Sequence, residues 1–175
     1  MNTENLATNR ENWKSIDGYS NYEVSWWGRV RNSKTGRILK SGDNGYGYLI
    51  VRLSKDSNGK THKIHQLVAS DRVQNSDGKI CVDHIDGCKT NNHHGNLRFA
   101  THSENSRNMK HSDGSSVYKG IAYNKVNNKW QAQLRMNGKQ QHLGCFASER
   151  EAAESYNADA VEFYKEFAKV NIFTD

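Results

Sequence analysis

The sequence predicts an α+β fold assembled from small modules. These are an N-terminal β-rich motif, a strand–loop–strand–helix unit in the middle, and a C-terminal three-stranded antiparallel sheet packed on one helix. Three observations carry this. Only 34% of the 175 residues are apolar and mean hydropathy is −0.96, too little for one large core. Short strand-like runs broken by glycine turns recur at both ends of the chain. A single stretch near the C-terminus places apolar residues at helical spacing. The corresponding segments are 10–60, 61–111 and 115–175.

In the first segment the strand-like runs are Tyr22–Ser25, Arg29–Arg31 and Tyr48–Leu53, with turns at Gly28, Gly36 and Gly45–Gly47. The polar stretches 54–61 and 110–116 read as linkers. In the third segment strands are expected near Lys119–Tyr123, Lys129–Met136 and Gln140–Phe146, with Asn137-Gly138 as a tight hairpin turn. A helix follows from about Ser148 to Phe167, on the recurrence of Ala152, Ala153, Tyr156, Ala160, Phe163 and Phe167. Ser148 and Glu151 form a capping box at its start.

Charge is unevenly placed. The formal net charge of +6 favours a polyanionic partner. Residues 29–40 carry five bases and no acid, and so do residues 115–148; residues 149–175 hold seven acids against three bases. Two basic strand regions with interleaved aromatics and one acidic helical tail therefore lie behind the net value. No apolar run approaches the ~20 residues of a membrane span, and the polar N-terminus does not read as a signal peptide. Cys81, Cys88 and Cys145 form no C-x-x-C pair, which argues against a disulfide framework or a cysteine-based zinc site. Reduced thiols and a cytoplasmic, non-secreted protein are the expectation.

The middle segment holds seven of the eight histidines. Ile80–Asp83 reads as a strand ending in Asp83-His84. A polar loop through Asp86-Gly87 and Asn91-Asn92 leads to a second strand, Asn96–Ala100, and Thr101 with Glu104 caps a helix that carries Asn105 in its first turn. A carboxylate and an amide oxygen suit a hard divalent cation that keeps several waters. An imidazole beside them can take a proton from water near neutral pH. Metal and base together suit attack on a phosphodiester.

At Asp83-His84-Ile85-Asp86-Gly87, Asn91-Asn92, Asn96-Leu97-Arg98 and Glu104-Asn105-Ser106-Arg107-Asn108 the sequence resembles the HNH nucleases, in the form found in phage intron-type homing endonucleases. The resemblance implies a ββα-metal unit in a site-specific, metal-dependent DNA endonuclease that nicks one strand per active site. It implies His84 as general base, Asp83 and Asn105 as metal ligands, Asn96 as the residue that ties the hairpin, and Mg²⁺ or Mn²⁺ as the cofactor, one ion per site. His65-Gln66-Leu67-Val68-Ala69 resembles the short helix that precedes such a unit.

The flanks carry further resemblances. Trp13-Lys14, Ile16, Gly18-Tyr19, Tyr22–Ser25 and Gly28–Arg31, continued by Gly36–Lys40, Gly47-Tyr48 and Val51–Leu53, resemble a modular motif often fused to these nucleases. Trp26-Trp27 stand where that motif usually has a polar residue. Lys119-Gly120-Ile121, Trp130, Ala132, Leu134-Arg135, Leu143-Gly144, Phe146, Glu151–Ala153, Tyr156 and Ala160 resemble the plant ethylene-response-factor type of DNA-binding domain. In that family a sheet lies in the major groove with the helix behind it. The implied partner is double-stranded DNA, met by a monomer in preference to a dimer and with no membrane. The expected DNA contacts are Arg29, Arg31, Arg37 and Lys40 in the first segment, Arg98 and Arg107 in the second, and Lys119, Tyr123, Lys125, Trp130, Gln133 and Arg135 in the third. The alternative is a DNA-binding regulator with an inactive nuclease unit; the intact Asp83, His84, Asn96 and Asn105 weigh against it. An RNA-binding protein is a weaker reading, because no single-strand stacking motif is present.

Overall fold

The computed structural model describes residues 11–109 and 114–173. The chain divides into two compact units, Met1–Thr101 and His102–Asp175. The first two of the three sequence segments therefore join in one unit, and the boundary falls inside the segment 61–111.

In the first unit, β1 (Trp13–Ile16), β2 (Tyr19–Ser25) and β3 (Val30–Asn32) form an antiparallel sheet in that order. A second antiparallel sheet contains β4 (Gly42–Asp43), β5 (Leu49–Lys55) and β6 (Asn58–Lys63). Part of stretch 54–61, expected to be a linker, is thus strand. Asp56 and Ser57 at positive φ turn β5 directly into β6, and register pairs run from Lys55–Asn58 to Ile50–Lys63. Its polar composition misleads because β6 lies at the sheet edge, where all six of its residues are exposed or half-buried. Then come α1 (Ile64–Arg72) and the hairpin of β7 (Cys81–His84) with β8 (Leu97–Ala100).

One hydrophobic cluster explains why these pieces cohere. Val24 and Val30 of the first sheet, Leu53 of the second, Leu67 and Val68 of α1, and Leu97 of β8 are all buried in it. Each such side chain contributes about 1.5–3 kcal/mol on burial. The helix α1 therefore serves as the common support of both sheets and the hairpin. Asp71 stays at the rim of α1 and pairs with Lys14 at 2.7 Å.

The second unit contains α2 (His102–Asn108), an antiparallel sheet in the order β11–β10–β9, and α3 (Glu149–Tyr164). The strands are β9 (Ile121–Asn124), β10 (Lys129–Met136) and β11 (Lys139–Phe146), close to expectation. Asn137 and Gly138 both have positive φ (49° and 77°), as a two-residue hairpin turn requires. The Ser148–Glu151 capping box is formed in both directions. α3 buries Ala152, Ala153, Tyr156, Ala160 and Tyr164 against the sheet. The stripe advances by four residues from Ala152 to Tyr164, so Tyr164 takes the buried place expected for Phe163, which is exposed.

Candidate active site

The β7–β8 hairpin builds the centre. Its register sets Asp83 opposite Arg98 and His84 opposite Leu97. Both Asp83 and His84 are buried, at 4% and 5% exposure, an unusual place for a carboxylate and an imidazole side by side. Asp83 Oδ2 accepts from Arg98 Nε at 2.8 Å and lies 2.7 Å from its Nη2. Arg98, an expected DNA contact, is the ionic partner of the buried carboxylate. Leaving that carboxylate without a cation would be costly.

His84 Nε2 lies 3.1 Å from Asn92 Oδ1. An amide oxygen only accepts, so this contact places the imidazole proton on Nε2 and the lone pair on Nδ1. The ring is walled by His65, edge-on at 5.0 Å between centroids, and by Tyr48 at 6.1 Å. His65, on the first turn of α1, is 4% exposed, and its Nδ1 makes no hydrogen bond among the described residues. Burial first, then the His84 and Lys63 charges, pull its pKa down to about 4, so it is a neutral wall at physiological pH. Tyr48 also meets His65 at 4.9 Å and lies under the ammonium groups of Lys63 and Lys89.

The loop between the strands is braced from within. Asn96 Nδ2 donates to Asp86 Oδ1 and to the Asn91 carbonyl, both at 2.9 Å, and Asn96 Oδ1 accepts from the Asp86 amide at 3.1 Å. Asn91 donates to Asp86 Oδ2 at 2.7 Å, and the Cys88 amide to Oδ1 at 2.7 Å. Burial pushes the Asp86 carboxyl up, but the hydrogen bonds from Asn91, Cys88 and Asn96 and the His84 charge outweigh it and hold the pKa below its ordinary value. Asn92, His65 and Tyr48 surround His84, and Asp86 anchors its loop. All four lie inside the motifs named above, but nothing in the spacing showed which side chains they would meet.

Asn105 stands on α2, in the second unit. On the same helix the Arg107 guanidinium lies over the Tyr164 ring at 4.7 Å. Lys119, an expected DNA contact, is engaged within its own unit. Its ammonium donates to the carbonyls of Arg107 and Met109, and burial first, then Lys169, lowers its pKa to about 8. It caps the end of α2. The sheet also divides the expected contacts between its faces. Trp130, Ala132, Leu134 and Met136 of β10 alternate toward α3, and Tyr123, paired with Trp130, shares that face. Gln133 and Arg135 occupy the opposite face with Gln131, and their β11 partners are His142 and Gln140. Gln131, Gln140 and His142 were legible from strand alternation alone. Arg29 and Arg31 are paired with Glu11 and Glu23 and lie over the Trp13 ring; Arg37, Lys40 and Lys125 are exposed.

Known proteins match this arrangement segment by segment. A NUMOD4 motif model matches residues 11–54, and an HNH endonuclease model matches residues 62–107. The DNA endonuclease I-HmuI of Bacillus phage SP01 is 36% identical over 118 residues, covering 67% of this chain and 68% of that protein. The chain belongs to the HNH endonuclease family. A solved structure of the HNH homing endonuclease I-HmuI, described for DNA binding and cleavage, superposes with a TM-score of 0.53 at 29% identity, over 88% of this chain and 91% of that one. An uncharacterized HNH endonuclease of Acanthamoeba polyphaga mimivirus is 43% identical over 110 residues, 60% of this chain; the chain spans only 27% of that relative's length. The C-terminal likeness is narrower. An AP2-like ethylene-responsive transcription factor of Arabidopsis thaliana is 43% identical over 54 residues, 30% of this chain and 11% of that protein.

Proposed function

We propose that this HNH-family chain is a divalent-metal-dependent endonuclease that nicks double-stranded DNA at a specific site. The observation that carries the reading is the buried Asp83–His84 pair, with the imidazole oriented by Asn92 and the carboxylate held by Arg98. In this reading His84 Nδ1 receives a proton from the attacking water. The Asn92 amide stabilises the imidazolium that results, because it accepts from Nε2 in both protonation states. Asn96 acts at one remove, by keeping the loop that presents Asn92 in shape.

The motif's residue types suit a hard cation: in that reading Asp83 and Asn105 are the oxygen ligands, and no group of three or more His, Cys, Asp or Glu gathers among the described residues. That chemistry suits an open, water-rich Mg²⁺ or Mn²⁺ site better than a closed zinc cage. When bound, the ion supplies charge to stabilise the phosphorane-like transition state and the departing oxygen. The exposed Arg37, Lys40 and Lys125 and the outer face of the second-unit sheet supply salt-dependent affinity and site choice, with a monomer spanning an asymmetric target. A cytoplasmic location remains the expectation; among the described residues no helix is long and apolar enough to cross a membrane.

Incubation of the purified chain with candidate genomic DNA, followed by end mapping on denaturing gels, tests this. One strand is cut at a defined position with Mg²⁺ or Mn²⁺, and chelation by EDTA abolishes cutting. Cutting that survives EDTA would contradict the metal assignment. Loss of Mn²⁺ binding in calorimetry on Asp83→Ala and Asn105→Ala tests the ligands directly.

A further inference from the structure

Two turns of the first unit meet beside the active-site hairpin and gather four aromatic rings. The turn between β2 and β3 carries Trp26 and Trp27; the loop that closes onto β8 carries His93 and His94. Ring centroids lie 4.5 Å apart for Trp27–His93, 4.6 Å for His93–His94 and 5.3 Å for Trp26–His94. The two turns are fastened together. The His94 amide donates to the Trp26 carbonyl at 2.8 Å. Gly28 sits so close beneath Asn92 that a Cβ there would stand 2.6 Å from the Asn92 Cβ, and its φ of +78° disfavours any other residue. Asn92 is also the residue that orients His84. The aromatic turn is therefore rigidly indexed to the cleavage centre.

These rings are not core. Trp27 is 63% exposed and Trp26 38% exposed, although indole is among the largest apolar side chains. Two indoles on one turn fall far short of the roughly 1,200 Å² that a stable protein interface buries, so a protein partner or a second copy of the chain is a poor occupant. Nor is the cluster built for ion-pairing with phosphate. Burial first, then the His93 and Arg72 charges, lower the His94 pKa, which favours the neutral ring. Flat, polarisable faces with few charges are suited to stacking on nucleobases, and the duplex is already delivered to this place by the neighbouring centre.

We infer that Trp27, backed by His93, His94 and Trp26, is a wedge that stacks into the DNA base step flanking the phosphate cut by the His84 centre. This rests on the DNA-cleavage reading above. Insertion of an apolar side chain at a base step unstacks it and kinks the duplex, which would open the strand toward the hairpin.

The test uses the full chain in EDTA and duplexes of the mapped target with 2-aminopurine placed singly at each position around the nick. The wild type raises 2-aminopurine emission at one step within about three base pairs of the nick. Trp27→Ala loses that signal and binds about 5- to 150-fold more weakly, the range set by one base–aromatic stack. Trp27→Phe, which keeps a stacking face, retains the signal; both substitutions are at an exposed side chain that the fold does not need. His84→Ala gives the wild-type signal. Trp27→Ala that binds and unstacks as the wild type does in EDTA, and cuts as it does once Mg²⁺ is restored, would overturn the wedge while leaving the nuclease reading intact. A wild-type dimer in sedimentation that Trp27→Ala dissociates would also overturn it, in favour of self-association. A wild type that neither binds nor cuts DNA would sink both readings together.

Discussion

Acidification should destabilise the first unit through His65. An unfolded histidine titrates near 6.5, whereas buried His65 takes a proton only at about 4. Between those values the unfolded chain binds a proton that the folded one refuses, so stability present above about 6.5 is lost as pH falls and the loss is complete near 4. At about pH 5 the unfolded state gains a factor of about 30 from this group, or about 2 kcal/mol. His65→Gln removes the titration, so other groups cancel in the difference between wild type and variant. Urea unfolding at about pH 7 and pH 5 measures it, in a Trp130→Phe background that leaves only the tryptophans of the first unit to report. The stability advantage of wild type over His65→Gln should shrink by about 2 kcal/mol between the two pH values. A difference that changes by less than roughly 0.5 kcal/mol, or grows, would refute the claim that His65 is held neutral beside His84.

Two further substitutions probe separate parts of the structure. Gly120→Ala would set a Cβ 2.2 Å from the Tyr156 ring and 2.7 Å from the Gln133 carbonyl at a φ of +78°. It should cost more than about 2 kcal/mol, read as a lowered Trp130-monitored melting temperature; unchanged melting would show that α3 does not seat on the sheet as described. Asn96→Ala removes both bonds donated to the Asp86 loop. Its nicking rate should fall about 10- to 100-fold with DNA affinity nearly unchanged, since the residue orients and does not bind; an equal loss in affinity would reassign it to DNA contact.

Much of the fold was legible because local patterns agreed with tertiary demands. The Asn137-Gly138 turn, the Ser148–Glu151 box and the alternation of β10 each point to the same C-terminal sheet and helix. The hairpin β5–β6 was not legible, because its turn is Asp56-Ser57 at positive φ, without the usual Asn-Gly signature, and its second strand is almost wholly polar. At the β7–β8 hairpin, residue types and order singled out Asp83 and His84, which the fold buries side by side. Their partners were hidden, since Arg98 meets Asp83 only through strand register and His65 reaches His84 only through packing of α1. The basic residues were the least legible. Arg98 and Lys119 read as DNA contacts by charge, yet one neutralises a buried carboxylate and the other caps a helix.

The central claim is that His84 supplies the base for metal-dependent DNA nicking. Single-turnover cleavage of the mapped target with Mn²⁺, alongside equilibrium binding of the same duplex, compares wild type with His84→Ala most directly. The variant should bind the duplex within about threefold of wild type and cut at least about 100-fold more slowly, in keeping with the loss of a general base. Cutting by His84→Ala at the wild-type rate would contradict the account.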